Sequence, residues 1–394
     1  MRRISRKGIA SFATSSGGSA VSFASSVGHE HWQNRCAEAV EDGATLRLCG
    51  ITGSPYTNKL LALMRYRRLP HRYLTMGGPE EEGSALPAVH KAAQHLMPKV
   101  LWPDGRASND STPLVRELER ACRPGLRSVR PAHGGLAFLC DLLEDVADEW
   151  LTKSMYHFRW THDADFAGRG IALQTLGPNA PPELVAQVAP VMQARQVARR
   201  AVVGSNPETA AAIESGFLAF VAALDAHLAA GNGFLLGSRP SAADFAVFGQ
   251  LHPMLALDPN TSRAVTDASD RVPAWYHTTS DLSGLSLASE AAGWLDADAP
   301  LPPTLVALLA EAGRTYAPFM VANDIAVREG RAEVELAELG GGRWVQPTFK
   351  YQSKCLATLR EGFAALAEPE QAWVRAVLAG TGCDVLLVHA ASRL

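Results

Sequence analysis

The sequence predicts an α/β domain, then an all-α domain, then a mostly helical extension. Three observations predict this architecture. Between Leu46 and Tyr73 the chain shows an apolar run, a glycine-containing turn, leucines at helical spacing and a second strand-like run. From about residue 132 onward, apolar residues recur at helical spacing through several long segments. With 394 residues, the chain is long enough for two domains and a further segment.

Composition limits the class of protein. Apolar residues make up 47% of the chain and charged residues 20%, as in a globular protein with a core. The net charge of −3 gives no reason to expect nucleic acid as a partner. The longest apolar runs are too short to predict a membrane span, so no membrane is expected either. Six cysteines without a CxxC pair indicate a reducing compartment and predict no metal.

Residues 1–43 are expected to lie outside the fold, as a disordered or transit-peptide-like extension. The first 29 residues are rich in serine, carry four basic side chains near the start and contain no acidic residue. This composition is typical of a mitochondrial or plastid transit peptide. The alternatives are a disordered cytoplasmic tail or a start site assigned too early. We therefore expect a mitochondrial or plastid location, and otherwise a cytoplasmic one.

The α/β domain is expected over residues 44–122, and its first helix begins beside a serine. Ser54 stands at the N-cap position and Pro55 at the first helical position. A hydroxyl there lies beside unpaired backbone N–H groups and the positive end of the helix dipole. Such a position can bind an anion or stabilise a thiolate held by a ligand. The alternative is an ordinary N-cap serine without chemistry.

Two dipeptides later in the same domain carry further information. Met97-Pro98 precedes an apolar, strand-like run that ends at an Asp-Gly hairpin turn and a partner strand. Asp110-Ser111 then opens a second helix. An aspartate there can pair with a cationic group, while the serine hydroxyl and the free N–H groups can donate hydrogen bonds to an anion. Taken alone, an Asp-Ser pair before a helix is a common cap.

The all-α domain is expected over residues 132–275 and begins with an amphipathic helix. Three aromatic residues follow it, which are either core packing or the wall of a substrate pocket: Tyr156, Phe158 and Trp160. Farther on, Ser241 and Asp244 form a capping box, for which we expect a role in folding rather than in catalysis.

Residues 300–394 are expected to form the mostly helical extension. A proline pair opens a helical stretch interrupted at Pro318, a segment containing three consecutive glycines predicts a small hairpin, and two helices follow. No chemical role is predicted for the extension. It is expected to cover the helical domain or to enlarge an interface.

Taken together, these motifs resemble glutathione S-transferases over about residues 45–260. The segment around Ser54 resembles the first strand and helix of their thioredoxin-like N-terminal domain. Met97-Pro98 resembles the cis-proline of that domain, and Asp110-Ser111 resembles its acidic residue and serine at a helix start. The capping box resembles the one in their all-α C-terminal domain. All of these motifs stand in the order found in the family.

The resemblance implies an enzyme that binds glutathione as co-substrate and transfers it to a small electrophile. Ser54 would be the catalytic residue, donating a hydrogen bond to the glutathione sulfur and holding it as thiolate. Met97, beside Pro98, would offer its backbone to the cysteinyl group, and Asp110 and Ser111 would bind the γ-glutamyl end.

Three further expectations accompany this assignment. Tyr56 offers a competing hydroxyl, and we group it with the three aromatic residues of the helical domain as a candidate for the substrate pocket. The family resemblance implies a homodimer. The alternative function is a non-catalytic module that uses the transferase fold for protein interaction or ligand binding, and the long C-terminal extension favours it.

Overall fold

The computed structural model describes residues 45–75, 97–121, 127–289 and 291–388. The predicted extension over residues 1–43 lies outside these ranges. The described chain forms a four-stranded sheet with helices, then a series of helices, then a helical segment that contains a hairpin. This order agrees with the architecture that the sequence predicts.

The N-terminal elements build a mixed sheet. They are β1 (Leu46–Gly50), α1 (Pro55–Tyr66), β2 (His71–Thr75), β3 (Lys99–Leu101), β4 (Ala107–Asn109) and α2 (Ser111–Ala121). The strand order is β2-β1-β3-β4. Strand β2 is parallel to β1, β3 is antiparallel to β1, and β4 is antiparallel to β3. A parallel β1–β2 pair needs a crossover connection, and α1 supplies it. Leu48, opposite Tyr73 and Val100, is fully buried at the centre of the sheet.

The second group of elements is helical, as predicted. It comprises α3 (Gly134–Val146), a π-helical segment (Ala147–Leu151), α4 (Thr152–His162), α5 (Ala164–Leu176), α6 (Pro182–Ala198), a 3₁₀ turn (Arg199–Val203), α7 (Ala210–Ala229), α8 (Ala242–Ala256), α9 (Pro259–Ala268) and α10 (Arg271–Thr279). The π-helical segment joins α3 and α4 into one long helix over residues 134–162, called the long helix below. The domain therefore starts with about eight turns of continuous helix.

Helix α8 joins the two domains because it packs directly on α1. A Cβ atom added at Gly249 would lie 2.6 Å from the Pro55 carbonyl oxygen and 3.0 Å from Lys59 Cβ. These distances leave no space for a side chain, so the glycine allows the two helices to approach. The start of α1, which carries Ser54, is thereby fixed against the helical domain.

One helix of the described residues, α7, is long and apolar enough to cross a membrane by length and composition. It packs against α4, α10 and α11, and Ile213, Phe217 and Val221 on it are buried. This burial is that of a core helix in the helical domain.

The extension contains α11 (Pro303–Arg314), α12 (Tyr316–Arg328), β5 (Glu333–Leu339), β6 (Gly342–Pro347), α13 (Lys350–Ala364), α14 (Glu368–Leu378) and a 3₁₀ turn (Cys383–Leu387). The predicted hairpin is present as the antiparallel pair β5–β6. The expected interruption at Pro318 is wrong by three residues: the break falls at Thr315, and Pro318 lies in the first turn of α12. A first-turn proline lacks only an N–H that has no intrahelical partner.

The predicted capping box at the start of α8 is confirmed. Ser241 Oγ accepts a hydrogen bond from Asp244 N, and Asp244 Oδ2 accepts one from Ser241 N at 2.8 Å. Asp244 Oδ1 also accepts Leu235 N at 2.8 Å, so this carboxylate ties the preceding segment to the helix. Burial raises the pKa of Asp244 to about 6, although these hydrogen bonds oppose the rise.

Replacing Ser241 or Asp244 is expected to destabilise the protein, and the two replacements should differ in size. Ser241→Ala should lower the free energy of unfolding by about 1–2 kcal/mol through loss of the cap. Asp244→Ala should cost more, because it also leaves the buried Leu235 N–H without an acceptor. Urea unfolding followed by circular dichroism measures both, with the exposed Ser238→Ala as control. Equal effects of the two variants would contradict a stabilising role for the hydrogen bond from Leu235 N to Asp244.

Candidate functional site at one edge of the sheet

Strand directions bring the candidate glutathione residues to one edge of the sheet. Because β3 is antiparallel to β1, β3 begins where β1 ends, with Lys99 opposite Cys49. Because β4 is antiparallel to β3, it ends at the same edge, with Asn109 opposite Lys99. The residues just after β1, just before β3 and just after β4 are therefore neighbours. They are the segment around Ser54, Met97-Pro98 and Asp110-Ser111.

Ser54 occupies the N-cap position of α1, as predicted. Its backbone is extended (φ −89°, ψ 122°), and its Oγ accepts a hydrogen bond from Thr57 N at 3.3 Å. That bond uses a lone pair of Oγ and leaves the hydroxyl hydrogen available for donation. Asn58 Nδ2 donates to the carbonyl oxygens of Thr52 and Ser54, both at 2.8 Å, and so stabilises the turn before the helix.

Side chains of the helical domain hold the same turn from outside. Gly53 N donates to Gln174 Oε1 on α5 at 2.8 Å, and the Gly53 carbonyl accepts Arg159 Nη1 of α4 at 2.9 Å. Arg159 is itself fixed by Asp258, with Nε donating to Oδ2 at 2.8 Å. The orientation of the Ser54 segment therefore depends on both domains.

The other two dipeptides have unusual backbone conformations. The Met97–Pro98 peptide bond is cis, as the resemblance implies. Asp110 has φ +75°, a left-handed conformation that is uncommon for a residue with a side chain and that clusters at functional sites. Ser111 is the first residue of α2 and is buried. The unpaired N–H groups of the first turn of α2 thus lie beside Asp110.

A residue of the extension, Tyr351, contacts this edge. Its hydroxyl donates to Asp110 Oδ2 at 2.6 Å, from the second position of α13 and 241 positions farther along the chain. Burial, and then the hydrogen bond to the Asp110 carboxylate, raise the pKa of Tyr351, so it stays a neutral donor. The sequence contains no local signal for this contact, because it arises only when the extension packs on the other domains.

The long helix presents one polar stripe to α1, with its members four residues apart: the buried Glu144 and Asp148 and the half-buried Thr152. Lys59 of α1 is fully buried and inserts between the first two, with Nζ 2.6 Å from Glu144 Oε1 and 2.5 Å from Asp148 Oδ2. Burial opposes ionisation of Lys59, but the two carboxylates outweigh it and raise its pKa. We call these residues the α1-facing stripe.

Tyr56 of α1 contacts the α1-facing stripe. Its hydroxyl lies 3.0 Å from the Asp148 carbonyl oxygen and 3.2 Å from Thr152 Oγ1. Burial, with smaller contributions from Glu149 and Asp148, raises its pKa well above the ordinary value. The phenol is directed at the long helix, so its hydroxyl is engaged by the helical domain.

A second stripe of the long helix faces the extension: Asp145, Glu149 and Lys153. Asp145 accepts the Tyr316 hydroxyl, and the Glu149 carbonyl accepts Gln352 Nε2 at 3.1 Å. Lys153 donates to Gln346 Oε1 at 2.9 Å. Burial lowers the pKa of Lys153 to about 7, while burial and then Asp145 and Asp148 raise that of Glu149 to about 8. We call this set the extension-facing stripe.

The three aromatic residues of α4 do not form one surface. Tyr156 and Trp160 share a side of the helix, with ring centroids 6.1 Å apart, and the Tyr156 hydroxyl donates to Gln196 Oε1 at 2.7 Å. Phe158 points the other way and packs on Phe217 of α7, at 5.3 Å between centroids. A single pocket wall made by all three is therefore not formed, and any contact with substrate stays a prediction.

A cavity between the helical domain and the extension lies apart from these residues. It has a volume of about 20 Å³ and is lined by side chains that include Trp150, Phe217 and Leu308. That volume holds about one water molecule, far less than a small organic ligand requires. None of the predicted site residues lines it.

Comparison with known proteins supports the family resemblance in the helical domain. Residues 207–278 match the family model described as glutathione S-transferase, C-terminal domain. The matched segment contains the Ser241–Asp244 capping box and helices α7 to α9. No curated protein sequence matches the chain.

Two solved structures show a weak similarity. The β-etherase LigF from Sphingobium sp. strain SYK-6 is 14% identical, with a TM-score of 0.36, over 60% of this chain and 98% of that one. A glutathione S-transferase from Methylobacterium radiotolerans JCM 2831, in complex with glutathione sulfonate, is 17% identical, with a TM-score of 0.30, over 60% and 94%.

The matched C-terminal domain follows a sheet domain with the β2-β1-β3-β4 order and a cis-proline before β3. The chain therefore has the fold class that its sequence predicts: a thioredoxin-like α/β domain, an all-α domain whose residues 207–278 match the glutathione S-transferase C-terminal domain, and a mostly helical extension.

Proposed function

We propose that this chain is a glutathione-dependent transferase that binds glutathione at the shared edge of the sheet and transfers it to a small electrophile. The observation that carries the proposal is the convergence of Ser54, Met97-Pro98 and Asp110-Ser111 at that edge, at the starts of two helices. Two helix N-termini favour the thiolate and the carboxylates of such a ligand.

Each residue has a role that its chemistry allows. Ser54, whose hydroxyl hydrogen is available, donates to the sulfur and stabilises the thiolate. Met97 offers backbone hydrogen bonds to the cysteinyl part. Asp110 pairs with the γ-glutamyl ammonium group, and the Ser111 hydroxyl and the first N–H groups of α2 donate hydrogen bonds to the adjacent carboxylate. The attacking nucleophile is the ligand's own sulfur, so the protein needs to orient it and lower its pKa.

Tyr351 enters this site as an additional residue from the extension. Its hydrogen bond occupies Asp110 Oδ2 and leaves Oδ1 for the ligand's ammonium group. A carboxylate already oriented in this way loses less freedom when the ligand binds. The extension thereby becomes part of the proposed glutathione site.

The alternative function is a non-catalytic module for protein interaction or ligand binding, and the long C-terminal extension favours it. In such a module Tyr351 blocks Asp110 instead of orienting it, and the extension closes the site against glutathione. The fold alone permits both functions.

Binding and turnover distinguish these functions. The full chain is passed over immobilised glutathione, titrated with glutathione by calorimetry, and assayed for conjugation to an aryl halide. Retention, saturable binding and conjugation above the rate without enzyme are the expected results. Absence of both binding and conjugation would exclude the transferase, and binding without conjugation would favour the module.

Replacing Tyr351 tests the arrangement at Asp110. Tyr351→Phe removes one hydrogen bond and should weaken glutathione binding by roughly 2- to 10-fold while kcat stays unchanged. A glutathione analogue without the γ-glutamyl amino group should bind wild type and variant equally. Tyr73→Phe, in the middle of the outermost strand β2, is the matched control. Tighter glutathione binding by Tyr351→Phe would mean that Tyr351 competes with the ligand.

We also propose that the chain forms a homodimer and that it is imported into mitochondria or plastids. Light scattering on the purified protein measures the first, and a fluorescent fusion with and without residues 1–43 measures the second.

A further inference from the structure

Three side chains of the helical domain converge between two packed helices, and none of them belongs to the proposed glutathione site. His157 and His162 lie on α4, and Glu214 lies on α7, which packs against it. His157 Nε2 is 3.1 Å and His162 Nε2 is 3.0 Å from the same carboxylate oxygen, Glu214 Oε1. The three atoms all lie within 4.8 Å of one another. We propose that they form a binding site for a divalent transition-metal ion of the Zn²⁺ type.

The donor set and its spacing suit such an ion. Zinc binds imidazole nitrogen and carboxylate oxygen at about 2.0–2.2 Å, which places neighbouring tetrahedral ligands about 3.3 Å apart. The two distances to Glu214 Oε1 are already close to that value. Two imidazoles with one carboxylate favour Zn²⁺, Co²⁺ or Ni²⁺ over Mg²⁺ and Ca²⁺, which prefer oxygen ligands.

The surroundings hold the first histidine in place. His157 is fully buried, and its Nδ1 lies 2.8 Å from Ser205 Oγ. Ser205 Oγ already accepts Arg200 Nε at 3.1 Å, and its second lone pair can accept Nδ1–H of His157. In that tautomer the lone pair of His157 Nε2 points to Glu214, where a metal would lie. A second partner that fixes the ring is typical of metal-binding histidines.

The second histidine is also fixed, and the site is open on one side. The His162 ring packs on Phe158 at 5.5 Å and on the His157 ring at 5.9 Å between centroids. The side chains of His162 and Glu214 are each 40% exposed, so an ion can enter and water can complete its coordination. Three protein ligands with an open position are the pattern of accessible zinc sites.

The cluster also has an arrangement without a metal. Both histidine Nε2 atoms lie at hydrogen-bond distance from Glu214 Oε1, so each ring can carry its proton on Nε2. Without an ion, the two N–H groups donate to the one carboxylate oxygen, which is the alternative state of the same cluster.

Cobalt titration of the full chain tests the site. Chelator-treated protein is titrated with Co²⁺, and the expected result is a visible absorption band that saturates at one ion per chain and disappears when Zn²⁺ is added. His162→Gln and Glu214→Gln should each weaken Co²⁺ binding by at least about 10-fold. His277→Gln, an exposed histidine on α10, is the matched control and should bind as wild type does.

A second measurement separates metal binding from a structural role of the cluster. Zn²⁺ should raise the Tm of wild type by a few degrees and leave the Tm of His162→Gln unchanged, because the ion binds only the folded wild type. Cysteine thiols are another class of ligand for these ions, and the His162→Gln variant keeps every cysteine of the chain. Equal Co²⁺ affinity in wild type and His162→Gln, or no one-to-one binding by wild type, would overturn the proposal.

Discussion

Lys59→Met is expected to destabilise the protein by about 3–5 kcal/mol, the largest effect of a single substitution proposed for this chain. Lys59 is fully buried, and its Nζ lies within 2.6 Å of carboxylate oxygens of Glu144 and Asp148. Removing it leaves two buried carboxylates without a cation. A buried charge without a partner costs far more than the lost attraction alone. Urea unfolding of wild type and variant measures the difference.

The destabilisation caused by Lys59→Met is expected to depend on pH. Burial raises the pKa of Glu144 even beside Lys59. An acid whose folded pKa is raised stabilises the protein below its unfolded pKa, and this contribution is lost as pH rises through the folded value. The penalty of Lys59→Met should therefore grow as pH rises from about 4 and be largest at neutral and alkaline pH.

Two controls accompany Lys59→Met. Lys354→Met removes an exposed lysine and should change stability by less than about 0.5 kcal/mol. Combining Lys59→Met with Glu144→Gln and Asp148→Asn should recover part of the loss, because no buried charge then remains unpaired. A single Lys59→Met variant as stable as wild type at pH 8 would contradict the buried ion pairs.

Ser54→Ala is expected to lower kcat/KM for conjugation by roughly 10- to 100-fold at neutral pH. This factor corresponds to the loss of one hydrogen bond to a charged group. The expectation rests on the proposed function. The serine hydroxyl stabilises the thiolate of bound glutathione and so lowers the thiol pKa. Without it, that pKa should rise by about one to two units. The variant's pH–rate profile should shift upward accordingly and approach the wild-type rate at high pH.

The cap that Ser54 also provides needs its own control. Ser54→Ala removes the acceptor for Thr57 N and should cost about 1 kcal/mol of stability, so the variant should remain folded. Ser54→Thr keeps both the cap and the hydroxyl and should retain most of the activity. If Ser54→Ala conjugates like wild type with an unshifted pH profile, the catalytic assignment fails. Tyr56 would not be the obvious substitute, because its hydroxyl contacts the long helix.

The sequence predicts the elements of this fold better than their contacts. Ser54-Pro55 and the Ser241–Asp244 box are local signals whose chemistry fixes a helix start, and both are confirmed. Met97-Pro98 and Asp110-Ser111 can be placed together because strand direction decides which ends meet. The catalytic and binding roles of these residues stay predictions.

Contacts made by distant segments leave no such signal. The acidic residues of the first helix of the helical domain fit an amphipathic pattern, yet Glu144 and Asp148 are buried on Lys59. The pattern shows which residues share a helix face but not what covers that face. Tyr351 and the His157–His162–Glu214 cluster were missed for the same reason, because each unites residues from separate segments.

The two stripes of the long helix have a consequence for how the chain folds. The α1-facing stripe is satisfied by residues that precede it in the chain. The extension-facing stripe is satisfied by residues near 316–352, which are synthesised much later than the long helix. Until then, Glu149 and Lys153 have no partner from the extension. These contacts span about 170 to 200 positions, and such sequence separation slows folding. The first helix of the helical domain is therefore fully enclosed only after residues 316–352 have been synthesised and have packed on it.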